Sequence, residues 1–283
     1  MLRNLFRSCT VLVLFTAAGV WAADTKTSAV ASVTAAQIAE RNVAARGGLQ
    51  TWHAVQALSL TGTLEAGGNN RPTLPMPAPG PARAGKRMVP QIPAQRLPEQ
   101  VRLPFVMELK RPHKSRLQIE FKGQTAVQVF DGTNGWKLRP FLNRNDIEPY
   151  TAEELKDASR QAELDGPLID YAAKGTKVEL EGTEKIEDRD TYQLKLTLKT
   201  GQVQHLWIDA KTFLETKIEG TPRRLDGQYH PVAIYFRDYR PVSGLMVAHL
   251  LETTVEGVKQ TEKLQIEKVT VNPKLDDAHF SKL

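Results

Sequence analysis

Cysteine is almost missing from this chain of 283 residues: its one copy is Cys9. Everything beyond the first 22 residues therefore lacks a thiol, which excludes a disulfide framework, a thiolate metal site and a cysteine nucleophile there. Long apolar runs are equally scarce. One stretch, Thr10 to Val20, is rich in Val, Leu, Phe and Ala, and it is too short to span a bilayer comfortably. Catalytic signatures are missing as well. There is no Gly-x-Ser-x-Gly elbow, no glycine-rich phosphate cradle and no dinucleotide fingerprint. The six histidines, His53, His113, His205, His230, His249 and His279, show no pairing at metal-ligand spacing. No cofactor and no metal are expected.

What is present begins with an export signal. Arg3 and Arg7 form a basic start, the apolar run follows, and Val20-Trp21-Ala22 offers small residues where a signal peptidase reads. Residues 1–22 are read as a signal peptide, and the mature protein as residues 23–283 of the periplasm with no transmembrane segment. Cys9 precedes the apolar run, so no lipid anchor on cysteine is expected. Two of the six net positive charges leave with the signal. The remaining excess sits between Ala66 and Gln100, where Arg71, Arg83, Lys86, Arg87 and Arg96 face only Glu99. Basic charge this local, in an exported protein, argues against a nucleic-acid partner.

The 66–100 segment also holds eight of the seventeen prolines and has no apolar period. It is expected to be a flexible insertion, either tolerated or serving as a basic tether for an acidic or membrane partner. Around it the pattern is that of strands. Val101, Leu103, Phe105, Met107 and Leu109 alternate with polar residues, as do Leu117, Ile119 and Phe121, then Val127 and Val129. A period of two puts alternate side chains on opposite faces, so one continuous dry face is expected from Val101 to Val129. Further strands are predicted at Ala57–Ala66, Trp136–Phe141, Lys177–Glu181, Thr191–Lys199, Val203–Asp209, Leu214–Glu219, around Val232–Phe236, at Leu245–Thr254 and at Lys259–Val271. Helices are predicted at Thr34–Arg46 and Thr151–Leu164, each opened by a capping box, Thr34 with Gln37 and Thr151 with Glu154. Gly47-Gly48 stops the first, and a short turn carrying Trp52 follows. Strands succeed one another without intervening helices, so the fold class is mainly β within α+β: a curved antiparallel sheet of about eleven strands with helices on its dry face.

Candidate chemistry is thin. Asp226 and His230 are the nearest carboxylate–imidazole pair, but Asp226-Gly227 is more simply a turn. Glu153-Glu154 belongs to a helix N-terminus, where negative charge is favoured, and Asp276-Asp277 sits near the end of the chain. The larger apolar strand residues are the candidate cavity lining: Phe105, Met107, Leu109, Leu117, Ile119, Phe121, Trp136, Leu196 and Trp207. They serve either a filled core or a lipid cavity, and periodicity does not separate the two.

Two stretches carry a resemblance. Phe130-Asp131-Gly132-Thr133-Asn134-Gly135-Trp136 and Phe236-Arg237-Asp238-Tyr239-Arg240-Pro241-Val242-Ser243-Gly244-Leu245 resemble strand–turn signatures of the outer-membrane lipoprotein-sorting protein family, the LolA-like periplasmic carriers. The Ile38–Gly48 helix and the closing Val271–Phe280 segment are similar too. The chain departs from the family in the 66–100 insertion and in Val247-Ala248-His249, where relatives often carry a proline. The resemblance implies a single half-barrel domain whose helices lid a hydrophobic cavity. It also implies a monomeric, non-enzymatic carrier of lipid or lipoprotein acyl chains. The alternative is an envelope interaction or sensor module that uses the same fold to bind a protein partner, with the basic proline-rich loop as the contact.

Overall fold

Residues 33–67, 100–140, 144–225 and 227–283 are described by the computed structural model. The expected signal at 1–22, most of the 66–100 insertion and Asp226 lie outside the described residues. Local signals act as the sequence predicts. The Gln37 backbone N–H donates to Thr34 Oγ1 at 3.2 Å and the Thr34 N–H to Gln37 Oε1 at 3.0 Å, opening α1 (Ala35–Ala45). Gly47 ends it at φ +114°, and a Cβ there would sit 2.2 Å from the Gly244 carbonyl oxygen. The Met246 N–H donates to the Arg46 carbonyl at 3.0 Å. The Gly-Gly stop and the Val242–Leu245 turn, distant in sequence, thus pack backbone to backbone. Helix α2 (Leu49–His53) carries buried Trp52, whose indole N–H donates to the Arg46 carbonyl at 3.0 Å. Helix α3 (Ala152–Gln161) has the Thr151–Glu154 capping box. It stops three residues before the predicted Leu164, and Leu164, Leu168 and Ile169 enter the core from irregular chain beyond it.

The strands are β1 (Ala57–Gly67), β2 (Gln100–Lys110), β3 (Lys114–Phe121), β4 (Gln124–Phe130), β5 (Gly135–Arg139), β6 (Arg144–Pro149), β7 (Lys177–Ile186), β8 (Arg189–Thr197), β9 (Val203–Asp209), β10 (Glu215–Glu219), β11 (Arg223–Leu225), β12 (Gln228–His230), β13 (Val232–Val242), β14 (Leu245–Val255) and β15 (Glu262–Val271). Thirteen form one antiparallel sheet in the order β6-β5-β4-β3-β2-β1-β15-β14-β13-β10-β9-β8-β7, and β11 with β12 makes a separate ribbon. The sheet is a curved half-barrel, open between β6 and β7. The sheet has two strands more than the predicted eleven or so; the segments read from the sequence leave out β6 and both ribbon strands. Strand β6 has a lone apolar residue, Ile147, and Pro149 at its end, a composition suited to a sheet edge. The ribbon strands have three residues each and no apolar alternation.

Register assigns the faces, because directly opposed residues point to the same side. On the helix-bearing face, α1 packs Ile38 and Ala39 onto Leu194, Leu196, Leu206 and Ile208 of β8 and β9. Beside it, Trp52 and Val55 pack with Leu58, Leu109, Leu164, Ile169 and Leu245. A third cluster, Val127, Val129 and Phe280, lies on the other face of the sheet. This corrects the expectation of one dry face from Val101 to Val129. Phe121 opposes Gln124, and Leu117 opposes Gln128. The Lys122-Gly123 turn thereby inverts the parity: Ala126 and Phe130 stay on the helix-bearing face, and Val127 and Val129 go to the other. There the C-terminal segment covers them. Phe280 is fully buried, Lys110 donates to the Leu275 carbonyl at 2.6 Å, and His279 pairs with Glu108.

The resembling motifs are turn chemistry. Asp131 Oδ1 accepts from the backbone N–H groups of Thr133 and Asn134 at 2.8 and 2.7 Å, an Asx turn. Asn272 Oδ1 accepts from Gln56 N–H at 2.6 Å and its Nδ2 donates to the Ala54 carbonyl at 3.1 Å, fixing the start of β1.

Candidate functional site

Phe236, Leu251, Leu264, Leu64 and Leu103 oppose one another in turn across β13, β14, β15, β1 and β2. They form one cross-strand row on the helix-bearing face. Each is half-buried and none belongs to the three core clusters. The flanking rows carry Ile266 opposite Gly62 and Phe105 opposite Ile119, then Val269, Leu60, Met107 and Leu117. The result is an apolar trough that continues along β14, β1 and β2 from the core under Trp52. Gly62 lets two backbones approach there: a Cβ would fall 1.9 Å from the Gln265 carbonyl oxygen.

Toward β5 the trough becomes a cleft of about 210 Å³ beneath α3, with Met107, Leu109 and Leu117 on its floor and Gln128, Lys137, Arg139, Tyr150, Glu154 and Asp157 around it. Helix α3 buries none of its own side chains. Polar contacts hold it. Lys137 donates to both Glu154 oxygens at 2.5 and 2.6 Å, and Arg160 donates to Gln202 and Thr221 at 2.8 Å each. A helix with no buried residue gains little from burial, so α3 is a strap fastened at two points. Burial works to raise the Glu154 carboxyl, but the Lys137 ammonium and the capping N–H of Thr151 outweigh it and hold the group below its ordinary range. Tyr150 is pushed up to about 12 by burial and by the neighbouring Glu154 charge.

The sequence-predicted residues divide. Phe105, Met107, Leu109, Leu117 and Ile119 meet on the trough and cleft side, and Phe121 opposes Gln124 in the same parity. Leu196 is on that side too, but fully buried under α1 in the first core. Trp136 opposes Val129 and packs against the C-terminal cluster on the other face. Trp207 also faces away. Its indole N–H donates to Glu184 at 2.6 Å and Lys217 Nζ lies 3.9 Å from its ring centroid. The row residues Leu64, Leu103, Phe236, Leu251 and Leu264 were not singled out from sequence. Their alternation was visible, but which strands lie side by side was not.

The remaining polar clusters read as structure. Arg111 donates to Asp165 from both terminal nitrogens, at 2.9 Å from Nη1, and also reaches the Val55 carbonyl at 2.7 Å. Arg46 stacks on Trp52 with 4.3 Å between guanidinium and ring centroid and pairs with buried Glu215 at 3.4 Å. Glu215 in turn accepts from Tyr239 at 3.0 Å, and burial pushes the Tyr239 hydroxyl well above its ordinary pKa. His230 approaches the Glu256 carbonyl at 3.1 Å in the small ribbon. Among the described residues no group of three or more His, Cys, Asp or Glu side chains is placed to hold a metal ion. No helix among them is long and apolar enough to cross a membrane.

No family model matches the sequence, and no curated protein matches it significantly. Solved structures do match in fold. A LolA superfamily protein from Nitrosomonas europaea aligns over 89% of this chain and 99% of its own, with 16% identity and a TM-score of 0.52. An outer membrane lipoprotein-sorting protein domain from Vibrio parahaemolyticus covers 88% and 96%, with 13% identity and a TM-score of 0.53. A DUF1329 family protein from Desulfovibrio piger covers 87% and 97%, again at 13% identity and a TM-score of 0.53. The architecture is the same over nearly the whole length, so the resemblance drawn from turn motifs extends to the fold.

Proposed function

We propose that this chain, which carries the LolA-type half-barrel, is a non-enzymatic carrier that holds lipid or lipoprotein acyl chains in the trough. The carrying observation is the five-strand row Phe236–Leu251–Leu264–Leu64–Leu103: apolar, half-buried and outside every core cluster. Apolar surface left open on the face that helices otherwise cover is where a chain would gain burial, at roughly 25 cal/mol per Å² before association costs. We further propose that residues 1–22 are removed on export, that residues 23–283 work as one domain in the periplasm, and that no cofactor takes part. The Met107, Leu109, Leu117, Ile119 and Phe121 side chains are the part of the predicted lining assigned to cargo contact.

The test is uptake of a fluorescent acyl probe by the purified chain, with native mass spectrometry of protein drawn gently from the periplasm. Leu251→Glu and Leu64→Glu place a charge on the trough floor without entering a core cluster. Each should abolish uptake while leaving the melting curve close to that of the unaltered protein. Uptake that persists in both variants would place the cargo elsewhere, and no uptake by the unaltered chain would overturn the carrier reading.

A further inference from the structure

Six residues lie in register across β15, β1, β2, β3, β4 and β5: Val269, Leu60, Met107, Leu117, Gln128 and Lys137. The first four are apolar, the fifth is a neutral amide and the sixth is a cation. Neighbouring strands lie about 4.8 Å apart, so the apolar part runs about 14 Å and the backbone position of Lys137 lies about 10 Å past that of Leu117. This is the polarity profile of an amphiphile laid across the strands. The charged end is built, because Lys137 is buried in spite of its charge, and a buried ammonium requires an anionic partner. Glu154 of α3 supplies that partner at present. Beside it, Arg139 donates through Nη2 to Glu148 at 2.6 Å, while its buried Nε has no hydrogen-bond partner among the described residues.

We infer that the cleft under α3 is a head-group site for a single-chain amphiphile with an anionic head, its tail lying along Leu117, Met107, Leu60 and Val269 and its head bound by Lys137 and Arg139. The inference rests on acyl binding in the trough and adds the chemical class of ligand. The head takes the place of the Glu154 carboxylate on Lys137, and the Arg139 Nε–H gives it a second donor. Glu154, already partly exposed, turns to water. Asp157 keeps its own cation, Arg160, and Glu148 keeps Arg139 Nη2. Displacing Glu154 also frees the fastening of α3 at its β5 end. That widens a cleft whose 210 Å³ is below the roughly 300–1,000 Å³ usual for ligand pockets. Occupancy and the position of α3 are therefore coupled.

The experiment measures binding of laurate, dodecanol and acetate by titration calorimetry to the full chain and to two variants, Lys137→Gln and Glu154→Gln. Glutamine at 154 still completes the capping box, so the second variant keeps the helical start of α3 while loosening its fastening to β5, and it remains measurable even if the first proves unstable. Laurate should bind more tightly than dodecanol, and acetate should not bind measurably. Lys137→Gln should weaken laurate by about tenfold or more, the scale of one charge-assisted hydrogen bond. Glu154→Gln should strengthen laurate by removing its competitor. Dodecanol should move far less than laurate, and in the same direction in both variants, since each frees α3 alike. Equal binding of laurate and dodecanol, unaffected by either variant, overturns the anionic head site and leaves the apolar carrier standing. Failure of both ligands to bind the unaltered chain and Glu154→Gln overturns both.

Discussion

Gly135 follows Asn134 in what reads as a turn, yet its φ is not positive and backbone freedom is not what the site demands. A Cβ there would lie 1.9, 2.4 and 2.5 Å from three ring atoms of Tyr150. The Tyr150 N–H donates to the Gly135 carbonyl at 2.8 Å, which holds the ring directly over the glycine. Ordinary contact begins near 3.4 Å, so Gly135→Ala requires the ring to move by about 1.5 Å or to swing out of the cleft it lines. Overpacking of that kind costs about 3 kcal/mol, the upper part of its usual range. For a chain of this size that lowers the melting temperature by roughly 6–12 °C. A double-mutant cycle followed by thermal melting is the assay. In a Tyr150→Ala background the methyl has room, and Gly135→Ala should cost little, leaving a coupling of about 2–3 kcal/mol. Gly182→Ala is the control. Nothing lies within 4 Å of its Cβ position, so it should be neutral or stabilising. Additive behaviour of the Gly135 and Tyr150 changes would refute the steric account.

Other expectations follow from the same contacts. Arg111→Gln leaves the buried Asp165 carboxylate without its bidentate partner and should cost about 3–5 kcal/mol in a denaturant titration. Because Glu154 titrates lower in the folded chain than when unfolded, its fastening of α3 is fully present above the ordinary glutamate pKa of about 4.3 and is lost as pH falls through the depressed value. Hydrogen exchange should therefore show α3 loosening on that acid limb, and Glu154→Gln should be loosened at neutral pH already. Gly67 and Gln100 are directly opposed, so residues 68–99 can be replaced by Asn-Gly in a hairpin. Shortening a connection from 32 to two residues spares closure entropy of about 2.5 kcal/mol, so stability should hold or rise. A fall would show that the segment packs on the sheet, and loss of captured envelope protein would assign it a partner.

The turns and caps were legible because each is settled within a few residues. Thr34 with Gln37, Thr151 with Glu154, Gly47 and the Asp131 turn all act locally, and all appear where the residue types call for them. The strands of the large sheet were nearly all found as well, with β6 the exception. Less legible was which side of each strand faces which cover. Val127, Val129, Trp136 and Trp207 are apolar strand residues indistinguishable by period from Leu117 or Met107. The pairing of Phe121 with Gln124 turned β4 over, and only the arrival of Phe280 explains why its apolar side is dry. Lys137 was not singled out from sequence, and its burial depends on Glu154 from a helix that follows in the chain.

By itself the sequence determined the elements, their punctuation and the antiparallel class, because hydrogen-bond caps, positive-φ glycines and alternation act between near neighbours. Tertiary structure decided the parity of β4, the row from Phe236 to Leu103 and the meeting of an apolar floor with Lys137 and Arg139. Those depend on register between strands far apart in the chain, and a one-residue shift in pairing moves every side chain to the other face.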